Sequence, residues 1–242
     1  MRNLMLLALL ALATTPAVAG SLPAGGSACF ELSWGVGQSF RDCAAIDSAT
    51  GLFDYKSDTP FGDGSSDGFS VTSLTFGGNA DPVLGYGLAV TDFGAPSVFG
   101  FSFFTPIVSD AYTHAATSID ILLNGADGTS VSIAPVAPAT KLQTSAAGTP
   151  LPGTPLGIDV GAACSGSGLV VCPGETAETF FAPTTYAGLA VAVAFELSGG
   201  GDSAAITGSL TLDKATQQVP EPGTLLLLGA GIVALFRRHA RR

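Results

Sequence analysis

The central part of this chain alternates apolar residues with small or polar ones at a period of two. Three segments, 97–104, 189–197 and 206–212, show the pattern most clearly. Their predicted inward faces carry Phe99, Phe101 and Phe103; Leu189, Val191, Val193, Phe195 and Leu197; and Ile206, Leu210 and Leu212. Because successive side chains of a strand point to opposite faces, the alternation predicts β-strands with one buried face and one face in water.

Weaker alternation recurs between glycine-rich turns, and no segment shows a clear amphipathic helix. It covers 29–34, 69–76, 83–91, 116–123 and 129–133, which gives eight or nine short strands. Two packed antiparallel sheets supply one buried and one wet face for each strand. The fold class predicted is therefore all-β, an antiparallel β-sandwich with a jelly-roll-like arrangement.

One stretch interrupts the strand pattern. Residues 134–158 hold five prolines, at positions 135, 138, 150, 152 and 155, together with many Ala, Thr and Gly. Proline fixes φ and lacks a donor, so this stretch is interpreted as a long extended loop inside one sandwich. A linker between two small domains is the alternative.

The N-terminus has the form of a secretory signal peptide. Arg2 precedes an apolar run at 4–13, and Ala17 and Ala19 flank Val18 in a small-x-small cleavage site. Signal peptidase would cut after Ala19, leaving 20–218 as one exported β domain before the C-terminal tail. An uncleaved anchor is the alternative, which the short apolar run disfavours.

Charge and cysteine content fit an exported domain. Residues 20–218 contain four basic and eighteen acidic side chains, a formal charge of −14 against −10 for the whole chain. Such a domain repels nucleic acid and anionic membranes and attracts cations. Four cysteines, Cys29, Cys43, Cys164 and Cys172, predict two disulfides. Three pairings remain open, and local pairing closes the shortest loops.

The C-terminal segment combines an extended entrance, a short apolar run and a basic end. Val219, Pro220, Glu221 and Pro222 resist helix and strand, and 224–236 carries no charge. Thirteen helical residues span about 20 Å, short of a bilayer core of about 30 Å, but arginine side chains can snorkel to the interface. The predicted membrane helix rests on Thr224, Leu225, Leu226, Leu227, Leu228, Ile232, Val233, Leu235 and Phe236, and its cytoplasmic clamp on Arg237, Arg238, Arg241 and Arg242. An amphipathic or buried core helix is the alternative.

These three parts, in this order, resemble the PEP-CTERM sorting signal over about residues 218–242. The resemblance implies a Gram-negative bacterium in which exosortase recognises Pro220, Glu221 and Pro222 and removes or transfers the tail near them. The protein would be anchored transiently in the inner membrane and end at the cell surface or in the extracellular matrix. Many members are linked to extracellular polysaccharide and biofilm. Residues 83–107 are also similar to a hairpin of many PEP-CTERM passenger domains, with a Gly-Ala-Pro turn and a strand ending in Pro-Ile.

Two motifs in the segment 63–68 suggest chemistry. Ser66 lies in a G-x-S-x-G pattern, with His114 as the single histidine of the exported part, but no helix follows as a nucleophile elbow requires. Asp63, Ser65 and Asp67 resemble the start of a Ca²⁺ loop, although position twelve is Leu74 where the closing Glu belongs. A chance match and a solvated acidic turn are the preferred interpretations, so no catalytic residue, cofactor or metal is assigned.

A non-enzymatic surface or matrix protein is therefore the first functional hypothesis. An extracellular carbohydrate-binding module is the second, and it requires exposed aromatic side chains. An exported hydrolase is the third. Phe99, Phe101, Phe103, Phe180 and Phe181 are expected in the core, as is Trp34.

Overall fold

The computed structural model describes residues 26–34, 38–57, 60–62, 68–148 and 153–214. This part of the chain forms fourteen strands and one 3-10 turn, Ala126–Gly128. In chain order the strands are β1 Ser27–Trp34, β2 Gln38–Ala45, β3 Leu52–Lys56, β4 Phe61–Gly62, β5 Phe69–Asn79, β6 Val83–Asp92, β7 Ser97–Asn124, β8 Ser130–Pro135, β9 Gln143–Ala147, β10 Thr154–Pro155, β11 Cys164–Ser167, β12 Leu169–Val171, β13 Glu175–Leu197 and β14 Asp202–Lys214.

Two long strands, β7 and β13, carry the sheet from one layer to the other. The first half of β7 pairs with β1 and with the second half of β13, whose outer neighbour is β9. The second half of β7 pairs with β14 and with the first half of β13, and the sheet continues through β6 and β5 to β3. The β7–β13 register shifts between Phe180 and Thr184 and again between Tyr186 and Gly188. Because bulges bend strands, these shifts mark the place where the sheet folds over.

The two halves face each other across an aromatic core. We call the half with β1, β2 and β9 layer A, and the half with β14, β6 and β5 layer B. Phe103 of layer A stacks on Tyr86 of layer B, with ring centroids 4.8 Å apart, and lies 6.0 Å from Phe76. Phe30 of β1 also contacts Phe76, at 5.7 Å. All strand pairs are antiparallel, so the predicted antiparallel β-sandwich is confirmed.

The three clearest alternating segments lie where the pattern predicts. Leu189, Val191, Val193, Phe195 and Leu197 are all 0% exposed, and the inward Phe99, Phe101 and Phe103 are equally buried. The structure has more strands than the eight or nine expected, because it adds seven that show no clear alternation: β2, β3, β4, β9, β10, β11 and β12. In the opposite sense, 97–104 and 116–123 are the two ends of the single strand β7. Between them Thr105, Ile107, Val108 and Tyr112 are buried without strict alternation, since the strand passes from one layer to the other there.

The extended loop predicted for residues 134–158 is wrong in its middle. The stretch contains the last residues of β8, all of β9 and the two residues of β10. The prolines lie on either side of β9, which pairs with β13 through its own proline-free backbone. The inward residues of β9 are Gln143, Ser145 and Ala147. Because two of the three are polar, the sequence of β9 shows no alternation of apolar and polar residues and did not predict a strand.

The hairpin expected from residues 83–107 does not form. β6 pairs with β5 and β14 in layer B, whereas β7 begins in layer A beside β1 and β13. The turn between them crosses from one layer to the other and does not join neighbouring strands. β7 also continues past Pro106 and Ile107 to Asn124.

Both disulfides are local, the pairing that the short loops favour. Cys29–Cys43 joins the directly paired positions of β1 and β2, and Cys164–Cys172 closes the segment that contains β11 and β12. The predicted signal peptide with Ala17 and Ala19 lies outside the described residues, as does the whole predicted tail. Within the described ranges, none of the helical structure is long and apolar enough to cross a membrane.

Candidate functional site

The residues proposed for hydrolysis are only partly within the described chain. Ser66 lies in the segment 63–67, outside the described residues, and so do the Ca²⁺ candidates Asp63, Ser65 and Asp67. His114 lies on the outer face of layer B, at an outward position of β7. Its Nδ1 is 2.6 Å from Asp213 Oδ2, and its Nε2 is 3.3 Å from Glu178 Oε2. In the described ranges His114 therefore contacts two carboxylates and has no serine hydroxyl as partner.

The two carboxylates and an aromatic ring hold His114 in place. Asp213 of β14 and Phe180 of β13 occupy the positions directly opposite it on its two neighbouring strands. The hydrogen bond to Asp213, and then the one to Glu178, raises the pKa of the His114 imidazole above its usual value. When protonated the ring donates to both carboxylates, so the cluster is an exposed ion-pair network.

Phe180 differs from the expectation that it lies in the core. It is 74% exposed and stacks on the His114 ring, with centroids 4.4 Å apart. Phe181 points inward and is half-buried against Tyr186, and Trp34 is half-buried against Phe69. Phe180 and Phe181 are adjacent in the sequence, and adjacent strand residues face opposite sides of the sheet. Only one of the two can therefore face the core, and the identical residue types do not show which one does.

A groove crosses the outer face of layer A. Its volume is about 490 Å³, and small outward residues of three neighbouring strands form its floor. These are Ser102 of β7, Ala190 and Ala192 of β13, and Thr144 and Ala146 of β9. The groove exists because the central strands alternate large inward residues with these small outward ones.

One side of this groove carries charged and aromatic groups. The Arg41 guanidinium carbon lies 4.8 Å from the Phe104 ring centroid, a cation–π contact. Glu31 is directly opposite Arg41 in the β1–β2 pair and directly opposite Ser102 in the β1–β7 pair. Arg41 is the single arginine between residues 20 and 218. A guanidinium, a carboxylate, two hydroxyls and an aromatic ring along a shallow groove can bind a polar, hydroxyl-rich or anionic ligand.

A second polar cluster bridges the two layers inside the core. Tyr86 Oη donates to Gln143 Oε1, and Gln143 Nε2 donates to Thr117 Oγ1. Thr117 Oγ1 in turn donates to the Ser209 carbonyl at 2.7 Å, and Ser145 Oγ donates to Thr117 at 3.3 Å. Burial raises the pKa of the Tyr86 hydroxyl well above its usual value, so Tyr86 stays a donor. Each of these buried groups has a partner, which makes the cluster structural.

Two carboxylates are buried at one end of the sandwich. Asp92 at the end of β6 is 0% exposed, and Asp202 at the start of β14 is 3% exposed. Burial raises the pKa of the Asp92 carboxyl above its usual value. Hydrogen bonds from Ser97 and Gly94 oppose this shift, and the nearby charge of Asp202 adds a smaller rise. Sequence reasoning missed this pair, since 110 residues separate the two acids and neither belongs to a metal motif. Within the described ranges no group of three or more His, Cys, Asp or Glu side chains could hold a metal ion.

Comparison with known proteins gives one family match. Residues 218–242 match the model described as the PEP-CTERM protein-sorting motif. No curated protein matches. A structure of TmCBM61 with β-1,4-galactotriose is similar at 10% identity and a TM-score of 0.28, over 76% of this chain and 88% of that chain. A structure of infectious bursal disease virus, Gt strain, is similar at 9% identity and a TM-score of 0.12, over 87% of this chain and 72% of that chain. At these TM-scores neither likeness bears on fold or function.

Proposed function

Because this chain carries a PEP-CTERM sorting signal, and is therefore exported and processed by exosortase, we propose that its β-sandwich is a non-enzymatic component of the cell surface or extracellular matrix. The match at residues 218–242 is the observation that carries the proposal. Two local disulfides and a charge of −14 over residues 20–218 support it, since both suit a soluble domain in an oxidising exterior.

The surroundings of His114 support the non-enzymatic part of the proposal. Catalysis by a histidine base requires a ring nitrogen within reach of the group it deprotonates. The Nδ1 contact with Asp213 leaves Nε2 as the nitrogen that would act as a base, and Nε2 faces Glu178, which competes with any nucleophile for it. Outside the cell the protein would then act by binding and assembly, and its C-terminal tail would direct its sorting.

The sorting step can be tested with a change confined to the motif. A Pro220→Ala/Glu221→Ala/Pro222→Ala variant should remain in the inner-membrane fraction of an exosortase-positive host, while the wild type reaches the cell surface or the medium. Glu196→Ala, at an exposed position of β13, is the matched control and should be sorted like the wild type. If the motif variant is released as efficiently as the wild type, the proposal is wrong.

The groove of layer A favours a second candidate function, binding of an extracellular polysaccharide. Arg41 offers a planar fork of donors, Glu31 accepts from sugar hydroxyls, and Ser102 and Thr144 line the floor. The domain as a whole, with eighteen acids and four bases, repels anions, but the planar guanidinium of Arg41 beside Phe104 is a local bidentate donor that favours a single carboxylate on a glycan. The ligand class is thus a uronate-containing polysaccharide.

Glycan binding can be tested separately from sorting. The wild type should be retarded in affinity electrophoresis through a uronate-rich polysaccharide, and Arg41→Gln should lose most of that retardation. Lys56→Gln, on β3 and away from the groove, removes the same charge and should keep it. No retardation of the wild type by acidic or neutral polysaccharides would exclude this second function and leave the sorting proposal intact.

A further inference from the structure

Three loops meet around the buried pair Asp92 and Asp202. Gly200 N donates to the Gly94 carbonyl at 2.8 Å, and Gly201 N donates to the Asp92 carbonyl at 2.7 Å. Gly199 has φ +74°, and a Cβ there would lie 2.4 Å from the Gly94 carbonyl oxygen. The third loop contributes Ala126, whose Cβ is 3.1 Å from where a Cβ on Gly201 would lie. The acids thus lie beneath a tightly packed, glycine-dependent cover.

Asp202 is well anchored in this position. Its Oδ1 accepts from Ala126 N at 3.1 Å, and its Oδ2 accepts from Ser198 Oγ. Asp92 is directly opposite it in the β6–β14 pair, where both side chains point inward. Paired positions of antiparallel strands are about 5 Å apart, so both carboxylates can reach one small ligand between them.

Asp92 is left with an unmet bonding requirement. Its Oδ1 accepts from Gly94 N at 3.3 Å, a long contact. Its Oδ2 is fully buried and has no hydrogen-bond partner among the described residues, and contacts with Ser97 offset the effect of burial on the carboxyl only in part. A buried carboxylate oxygen without a partner is costly, and a second carboxylate beside it adds like-charge repulsion. A cation removes both costs at once.

We propose that Asp92 and Asp202 bind one Ca²⁺ ion that fastens the 93–96 and 198–201 loops at this end of the sandwich. Ca²⁺ accepts carboxylate, carbonyl and water oxygens in flexible geometry, so it does not require three acidic side chains. The donors present are two carboxylates at paired strand positions and a surrounding loop backbone, which are hard oxygen ligands. The strongly negative domain also raises the local concentration of cations. This site is distinct from the Asp63, Ser65 and Asp67 loop.

The first measurement is thermal unfolding of the full chain in detergent, in EDTA and in about 10 mM CaCl₂. Extracellular Ca²⁺ modules bind at about 10⁻⁴ to 10⁻³ M, and at 100-fold saturation the Tm of a domain of this size rises by about 5 °C or more. Wild type should show a rise of this order, and equilibrium dialysis should find one Ca²⁺ per chain that depends on Asp92. No calcium-dependent rise in Tm would overturn the proposal.

Variants locate the ion. Asp92→Asn keeps the acceptor for Gly94 N but removes the charge, so it should abolish the calcium-dependent rise in Tm. Asp202→Asn should do the same and serves as a second variant if the first folds poorly. Asp120→Asn, exposed on β7, is the matched control and should retain the full rise, as should Asp63→Asn/Asp67→Asn.

Two results would show that Asp92 and Asp202 do not bind Ca²⁺. A folded Asp92→Asn protein that keeps the full rise would place the ion elsewhere and overturn the proposal. An Asp92→Asn protein at least as stable as the wild type, together with a wild type that ignores Ca²⁺, would show that the two carboxylates share a proton. Neither result bears on sorting, which the 220–222 variant tests independently.

Discussion

His114 shows what one half-buried histidine contributes to the surface of this sheet. Its ring lies between Asp213 on β14 and Glu178 on β13 and is covered by Phe180. Cross-strand neighbours of this kind stabilise a sheet by fractions of a kcal/mol each. The Asp213 hydrogen bond raises the His114 pKa, so the protonated ring is favoured in the folded protein.

The pKa shift predicts a pH-dependent stability. Because the folded-state pKa lies above the unfolded value, the stabilisation is complete below about pH 6.5 and is lost as the pH rises through the folded pKa. His114→Gln should therefore lower the free energy of unfolding more at about pH 5.5 than at about pH 9. The difference should stay below about 1 kcal/mol, since both carboxylates are 66% exposed and screened by water.

Urea unfolding at the two pH values measures this difference. In about 1 M NaCl the ion pairs are screened, so the gap between the two pH values should shrink. An equal loss of stability at both pH values would mean that packing against Phe180, rather than charge, is what the histidine contributes.

At the scale of elements, β9 shows where sequence patterns succeed and fail. The segments of β7, β13 and β14 were predictable because their inward residues are almost all Phe, Leu, Ile or Val. β9 was not, because it presents Gln143 and Ser145 to the core and satisfies them with Thr117 and Tyr86 from layer B. Partners 26 and 57 residues distant cannot be read from a local window.

The Tyr86–Gln143 contact can be measured by a double-mutant cycle. Gln143→Leu leaves the buried Tyr86 hydroxyl without its acceptor and should lower the free energy of unfolding by about 1–3 kcal/mol. Tyr86→Phe should also destabilise, since it leaves the Gln143 carbonyl oxygen unpaired. The combined variant should cost less than the sum of the two, by about 1 kcal/mol.

Chemical denaturation of the four proteins gives the coupling energy. Tyr55→Phe is a matched control, because its hydroxyl donates to the exposed Asp42, at 3.0 Å, and not to a buried group. Strict additivity of the two core substitutions would show that the hydrogen bond does not join the layers.

At the scale of the whole molecule, the fold class and the sorting signal could be predicted from the sequence, whereas the groove beside Arg41 and the buried pair of acids could not. The alternation of apolar and polar residues identifies the strands. A Pro-Glu-Pro unit, an apolar run and a cluster of arginines, in this order, identify a sorting signal, which is confirmed at residues 218–242. The bend that turns one sheet into two layers depends on the register shifts between Phe180 and Thr184 and between Tyr186 and Gly188, which no local pattern encodes. The groove beside Arg41 and the buried pair Asp92 and Asp202 arise from that folding, because each joins residues far apart in the chain.

Processing at both ends is the central claim, and the intact mass of the protein recovered from the cell surface or medium tests it most directly. The measured mass should correspond to a chain that starts at Gly20, with two disulfides and without the residues that follow the 220–222 motif. A mass corresponding to the full C-terminus, with Arg237 to Arg242 still present in surface material, would contradict the account.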